Sequence, residues 1–375
     1  MFRSALSFIK REAVLSAAAA LALLSMFLVP PDAQYAGYID WNTLALLFSL
    51  MAVMKGYQRS GLFDYLGSLL LGHVRSTRGL LLVLVFLPFV FSMVITNDVS
   101  LITFVPFALI VLRLSGQERL LVPVVVMQTL AANLGSMLTP IGNPQNLYLY
   151  SRSGMSFGAL CALMAPYVLL SGACLAGVIL IRRPAAVAGV GAGVCAAPRS
   201  PRADRTPLYC SALFALCLLA LFDALPPLAV AAATAALLLA FDRPLLRAVD
   251  YSLLGTFIAF FIFIGNLGRL ELFRSALSAL LYGHEELVAV LASQVISNVP
   301  AALLLSGFTD DIPGLIVGTN LGGLGTLIAS MASLISYRQI ARECPEAKGR
   351  YFGLFTASNL VFLAALLGLW ALIGR

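Results

Sequence analysis

Charge and histidine are what this chain lacks. Only 11% of its residues are charged, roughly half of what a soluble α/β protein carries. The two histidines, His73 and His284, leave no His-Glu-x-x-His motif, and no Gly-x-Ser-x-Gly motif occurs either. Zincin and serine-hydrolase chemistry are therefore excluded, and no enzyme is expected. The six cysteines include no Cys-x-x-Cys pair and read as small apolar residues, not disulfides or metal ligands. What fills the chain instead is apolar. Hydrophobic residues make up 61%, in runs of about 20 residues, which defines an all-α polytopic membrane protein. No cleavable leader is evident. A retained first span is expected over 12–30.

Apolar runs predict nine crossings, at about 12–30, 41–56, 120–150, 157–181, 207–223, 227–241, 251–267, 314–336 and 352–372. The stretches 79–112 and 287–307 remain. If each enters and leaves on its own side, 20 of the 24 basic residues fall on one side of the membrane, and only Arg152, Arg269, Arg274 and Arg375 fall on the other. This positive-inside bias puts the N-terminus in the cytoplasm and the C-terminus outside. It also explains the net charge of +7 without nucleic acid. Reading 287–309 as an ordinary span would move Arg338, Arg342, Lys348 and Arg350 outside, so both stretches are expected to be re-entrant hairpins.

An internal repeat underlies this layout. Ile39-Asp40-Trp41 matches Val249-Asp250-Tyr251, and Leu62-Phe63 matches Leu272-Phe273 at the same spacing. Both pairs lead into amphipathic stretches, 59–73 and 270–284, expected to lie in the interface and to end at His73 and His284. Later, Asn133-Leu134-Gly135 matches Asn320-Leu321-Gly322, which aligns Asn143 with Ser330 and Asn146 with Ser333. Five crossings separate Asp40 from Asp250, so the halves face opposite ways, the pattern of secondary transporters. The expected divisions are an N-terminal segment 1–38, a first repeat 39–182, a cytoplasmic linker 183–206 and a second half 207–375 whose repeat begins near 249.

Four polar breaks interrupt the apolar runs. Two are hairpin tips, Thr96-Asn97-Asp98 and Ser297-Asn298-Val299-Pro300. Two are unwound segments. Thr139-Pro140-Ile141-Gly142-Asn143-Pro144-Gln145-Asn146 cannot stay helical with two prolines. Gly322 to Ser333, with Thr326 and Ser330, is its counterpart. Each break starts a new half-helix with unpaired N–H groups and a positive dipole end. Substrate is therefore expected at Thr96, Asn97, Asp98, Asn143, Pro144, Asn146, Ser297, Asn298, Val299 and Ser330. Coupling of Na⁺ or H⁺ is expected at Asp98, Asn97, Gly142, Asn298 and Thr326. No cofactor is expected other than Na⁺ at these positions. The plain alternative for Asp98 is a helix cap. Asp98 has no basic neighbour nearer in sequence than Arg78 and Arg113.

The Asp-Trp-x-Thr-Leu start at Asp40, Thr96-Asn97-Asp98, the Asn-Leu-Gly-Ser-x-Leu-Thr-Pro-Ile-Gly run from Asn133 to Gly142, and Ser297-Asn298-Val299-Pro300 resemble the ion transporter superfamily. That superfamily includes divalent anion:sodium symporters, citrate transporters, arsenite permeases and a group of sodium/proton antiporters. The resemblance runs from about 39 to 372. It implies a homodimer in the bilayer of the inner or plasma membrane, with a scaffold and a mobile transport domain working as an elevator. The dicarboxylate branch has Ser-Asn-Thr at both tips. Here the first tip is more similar to the Asn-Asp of arsenite permeases and the second to their Asn-x-Pro. The function expected is secondary transport of a small anion or oxyanion coupled to Na⁺ or H⁺. An arsenite-type efflux permease or a Na⁺/H⁺ antiporter is the alternative, and an ion channel ranks below both.

Overall fold

The structure, a computed structural model, describes residues 12–72, 74–186 and 206–373. His73, Cys195 and most of the expected linker lie outside the described residues. The described residues are helical, with one isolated antiparallel bridge between Ser76 and Ala186. Leaving out single-turn helices, the order is α1 (Ala13–Leu28), α2 (Trp41–Arg59), α3 (Leu62–Leu71), α4 (Thr77–Phe91), α5 (Asn97–Leu114), α6 (Leu121–Gly135), α7 (Pro144–Ser153), α8 (Phe157–Leu180) and α9 (Thr206–Leu221). Then come α10 (Pro227–Phe241), α11 (Tyr251–Gly268), α12 (Glu271–Leu281), α13 (Glu285–Ile296), α14 (Asn298–Leu305), α15 (Ile312–Gly322), α16 (Met331–Glu343) and α17 (Lys348–Ile373). Five stretches are long and apolar enough to cross a membrane, at Asn97–Leu114, Glu118–Leu138, Phe157–Leu180, Tyr251–Gly268 and Pro345–Ile373. The other apolar helices are shorter, from 10 to 17 residues.

Sequence chemistry sets the helix starts. The Asp40 carboxylate accepts the Thr43 backbone N–H at 3.0 Å, and Asp250 accepts that of Leu253 at 3.0 Å. Both aspartates cap their helices in nearly the same backbone conformation. Asp40 also accepts the Thr43 hydroxyl at 2.6 Å. Such caps are worth about 1 kcal/mol each.

The helices pack in two groups. In one, α1 lies along α11, and α2 lies against α9 and α10. In the other, α6 is central. It packs against α4, α5, α8, α16 and α17, while α15 packs against α13, α14 and α7. The groups meet where α2 touches α5 and α7, and where α11 touches α14. Ion pairs join ends that the charge count assigns to one side. Arg113 meets Glu343 at 3.2 Å, and Arg59 pairs with Asp242. On the side assigned to the exterior, Arg269 meets Asp32 at 2.7 Å.

The four expected breaks are present. Residues 92–96 separate α4 from α5, while Ser297 alone separates α13 from α14 and takes a positive φ of 75°. Two 3₁₀ turns, Ser136–Leu138 and Pro140–Gly142, separate α6 from α7. The α15–α16 break is organised by a residue that composition does not flag. Gln294 on α13 donates to the carbonyls of Gly322 and Leu324, each at 2.9 Å, and accepts from the Thr326 N–H at 3.0 Å. Gly325 sits there at φ +108°, and a Cβ on it would fall 2.3 Å from the Gln294 side-chain oxygen, so only glycine fits.

Candidate functional site

Asparagines stitch the breaks together. Asn97 Nδ2, at the start of α5, donates to Asn133 Oδ1 on α6 at 3.0 Å. Asn133 Oδ1 also accepts from Ser330 Oγ at 3.2 Å, and Asn133 Nδ2 donates to Ser333 Oγ at 3.2 Å. The first hairpin tip, α6 and the start of α16 therefore share one side chain. A second bond links the other pair of broken helices. Asn320 Nδ2 on α15 donates to Asn146 Oδ1 on α7 at 2.7 Å. In the repeat register Asn133 corresponds to Asn320 and Asn146 to Ser333, so the two contacts are reciprocal. The second tip docks on the same break, with Asn298 N–H donating to the Ala329 carbonyl at 2.9 Å.

A cavity of about 210 Å³ opens where the two groups of helices meet. Its lining includes Thr96 and Asp98 from the first tip, Asn143 and Pro144 from the start of α7, and Met331 at the start of α16. Three N-termini from the broken segments thus line one space, beside the Asp250-capped start of α11. Each carries roughly half a positive charge. Lys55 of α2, Asp250 at the cap of α11 and Arg338 of α16 line it as well. Sequence reasoning did not place these three at the site, because all are remote from Asp98 along the chain, Lys55 and Arg338 read as topology charges, and Asp250 reads as a helix start. The formal charges of the two cations and two carboxylates cancel, so the helix ends tip the space towards an anion.

Not every expected residue reaches this cavity. Asn97, Asn146, Ser297, Asn298 and Ser330 are buried outside its lining and engaged as described, or locally. Asn146 Nδ2 donates to the Ser136 and Thr139 carbonyls at 3.2 and 3.3 Å, which holds the unwound segment in shape. Val299 is buried packing. Thr326 is exposed, and its hydroxyl donates to the Gln294 carbonyl at 3.2 Å, so its visible role is to fold the glycine segment. Gly142 allows a close crossing, because a Cβ there would lie 2.2 Å from the Ser136 carbonyl oxygen. Gly142→Ala should therefore force the segment apart, costing about 1–3 kcal/mol or more. A detergent-stable melting temperature several degrees below the parent's checks this, and an unchanged one would contradict the packing described.

The citrate transporter family model matches residues 5–313. The chain belongs to the citrate transporter family. It is a transporter, not an enzyme. With its apolar helices, this family member is a multi-pass membrane protein. Its relatives agree. It is 35% identical over 326 residues to the inner membrane protein YbiR of Escherichia coli, covering 84% of each chain. It is 30% identical over 303 residues to an uncharacterized transporter of Methanocaldococcus jannaschii, covering 80% of this chain and 81% of the other. Over 152 residues it is 33% identical to the silicon efflux transporter LSI3 of Oryza sativa, covering 39% of this chain and 30% of that one.

Proposed function

We propose that this member of the citrate transporter family is a secondary active carrier of a small anion or oxyanion, driven by Na⁺ or H⁺ across the inner membrane. The observation that carries the reading is the cavity where three helix N-termini, Lys55 and Arg338 surround Asp98. Its 210 Å³ is ample for a small polyatomic anion, since one water needs on the order of 10–15 Å³. Asp98 supplies the coupling charge. With a cation or proton on it, the cavity gains a positive charge and holds the anion. Without one, it releases the anion.

The reciprocal Asn133–Ser333 and Asn320–Asn146 contacts support an inverted repeat. In this reading the group around α6 moves as an elevator against the α1–α2–α9–α10–α11 scaffold, in a homodimer with the N-terminus in the cytoplasm. In this reading Lys55, Asp250 and Arg338 belong to the cytoplasmic side rich in basic residues, and the cavity faces inward. The likeness to a silicon efflux transporter favours an efflux permease as the second reading.

Purified protein screened by thermal shift against organic acids, arsenite, Na⁺ and Li⁺ tests the site. A ligand present at 100 times its Kd should raise the melting temperature on the order of 5 °C. The expected result is an anion whose shift grows when Na⁺ is added or pH is lowered. Shifts with cations alone, and none with any anion, would replace this reading with cation exchange.

A further inference from the structure

Away from the transport cavity, an apolar groove of about 440 Å³ runs along α4, lined by Leu82, Phe86 and Val90 among others, with Leu70 of α3 as its edge. Only apolar side chains line it. At its α4-start end the chain gathers arginine. Residues 182–186 are clamped onto the start of α4. Arg78 donates to the Arg182 carbonyl at 2.6 Å, Thr77 N–H donates to the Ala185 carbonyl at 2.9 Å, and Ser76 bridges Ala186. This clamp brings Arg182 and Arg183 beside Arg75 and Arg78. Arg75, Arg182 and Arg183 are exposed. No ion pair is formed by any of the four among the described residues.

We propose that this is a binding site for an anionic phospholipid, with one acyl chain in the groove and the headgroup phosphate among Arg75, Arg78, Arg182 and Arg183. The dimensions agree. From Leu82 to Phe91 the helix rises about 14 Å, and one leaflet of hydrocarbon is about 15 Å deep. Polar headgroups and basic pockets at the ends of membrane helices pair by charge. The site lies on the outer face of the first hairpin arm, so the lipid would brace the arm that carries the Asp98 tip. It takes a lipid whether or not the substrate assigned above is right.

The test uses purified full-length protein in detergent, with thermal shift and native mass spectrometry. The probes are phosphatidylglycerol, phosphatidylcholine of the same chains, and glycerol phosphate without chains. Phosphatidylglycerol should raise the melting temperature and survive as a bound adduct. The other two should do neither, and the effect should shrink as salt rises. Arg75→Gln/Arg182→Gln/Arg183→Gln, which spares the clamping Arg78, should weaken binding on the order of fivefold per arginine. Equal shifts with phosphatidylcholine, or an undiminished adduct in the triple variant, overturn the proposal. A shift with glycerol phosphate alone would also overturn it, since the groove would then be idle. Should the triple variant fold poorly, the salt and headgroup comparisons on the parent still decide.

Discussion

Asp98→Asn should cut ion-coupled transport about a hundredfold, the equivalent of roughly 2.7 kcal/mol, while the protein stays folded. Asp98 is in the first turn of α5 and lines the cavity with Lys55, Arg338 and Asp250. Asparagine keeps the shape and suits a helix start. It removes only the charge. A charge at such depth is held by a partner, a proton or a cation. Lys55 donates to Gln58 at 3.4 Å, so its ammonium is held at the end of α2, on the opposing group of helices.

Two readouts separate this from a merely structural carboxylate. Counterflow in liposomes should lose its dependence on Na⁺ or pH, while substrate binding by thermal shift survives. Asp98 and Lys55 line one cavity without forming an ion pair among the described residues, so Asp98→Asn/Lys55→Gln should be close to additive in stability and should not recover coupling. A non-additive cycle would instead reveal a direct interaction between the two side chains. If Asp98→Asn keeps the parent's ion dependence, the carboxylate only serves the helix start and coupling belongs to neutral oxygens.

Much of this arrangement was legible in the sequence because it rests on local chemistry. Prolines at 140 and 144 cannot continue α6, and the helix does stop at Gly135. Asp40 and Asp250 were readable as equivalent starts, and both cap. Element ends shift modestly, as with the first re-entrant stretch, expected to begin at 79 and found to begin at Thr77. What stayed hidden depends on contacts between distant segments. Gln294 looks like an ordinary residue in an apolar helix, yet it supplies the bonds that the glycine break lacks. Lys55 and Arg338 read as topology charges, and only folding brings them to Asp98. Thr326 is expected at the ion-coupling positions, and its hydroxyl bond to the Gln294 carbonyl is a long-range contact that the residue type does not show. The positive φ at Ser297 leaves no trace in the residue type.

Asn133→Ala should be the most damaging change to the shared polar core, and more so than Asn320→Ala at the matching position. Asn133 is 4% exposed and holds three partners, Asn97, Ser330 and Ser333. Its removal leaves those groups buried beside a new void. Each orphaned group costs about 1–3 kcal/mol, and shared sites do not add in full, so a loss of about 3 kcal/mol is expected. Asn320 makes one bond to another element, through Nδ2 to Asn146 at 2.7 Å, and one to its own helix. Its Oδ1 is buried without a partner, so truncation removes a group that was already unsatisfied. Asn320→Ala should therefore cost about half as much. Asn359 on α17 is a control, because its side chain donates only to the Phe355 carbonyl of its own helix. Asn359→Ala should shift the melting temperature least and leave transport near the parent level. Equal losses for Asn133→Ala and Asn359→Ala would mean that the asparagine bridge does not hold the first tip in place, and that some other contact positions Asp98.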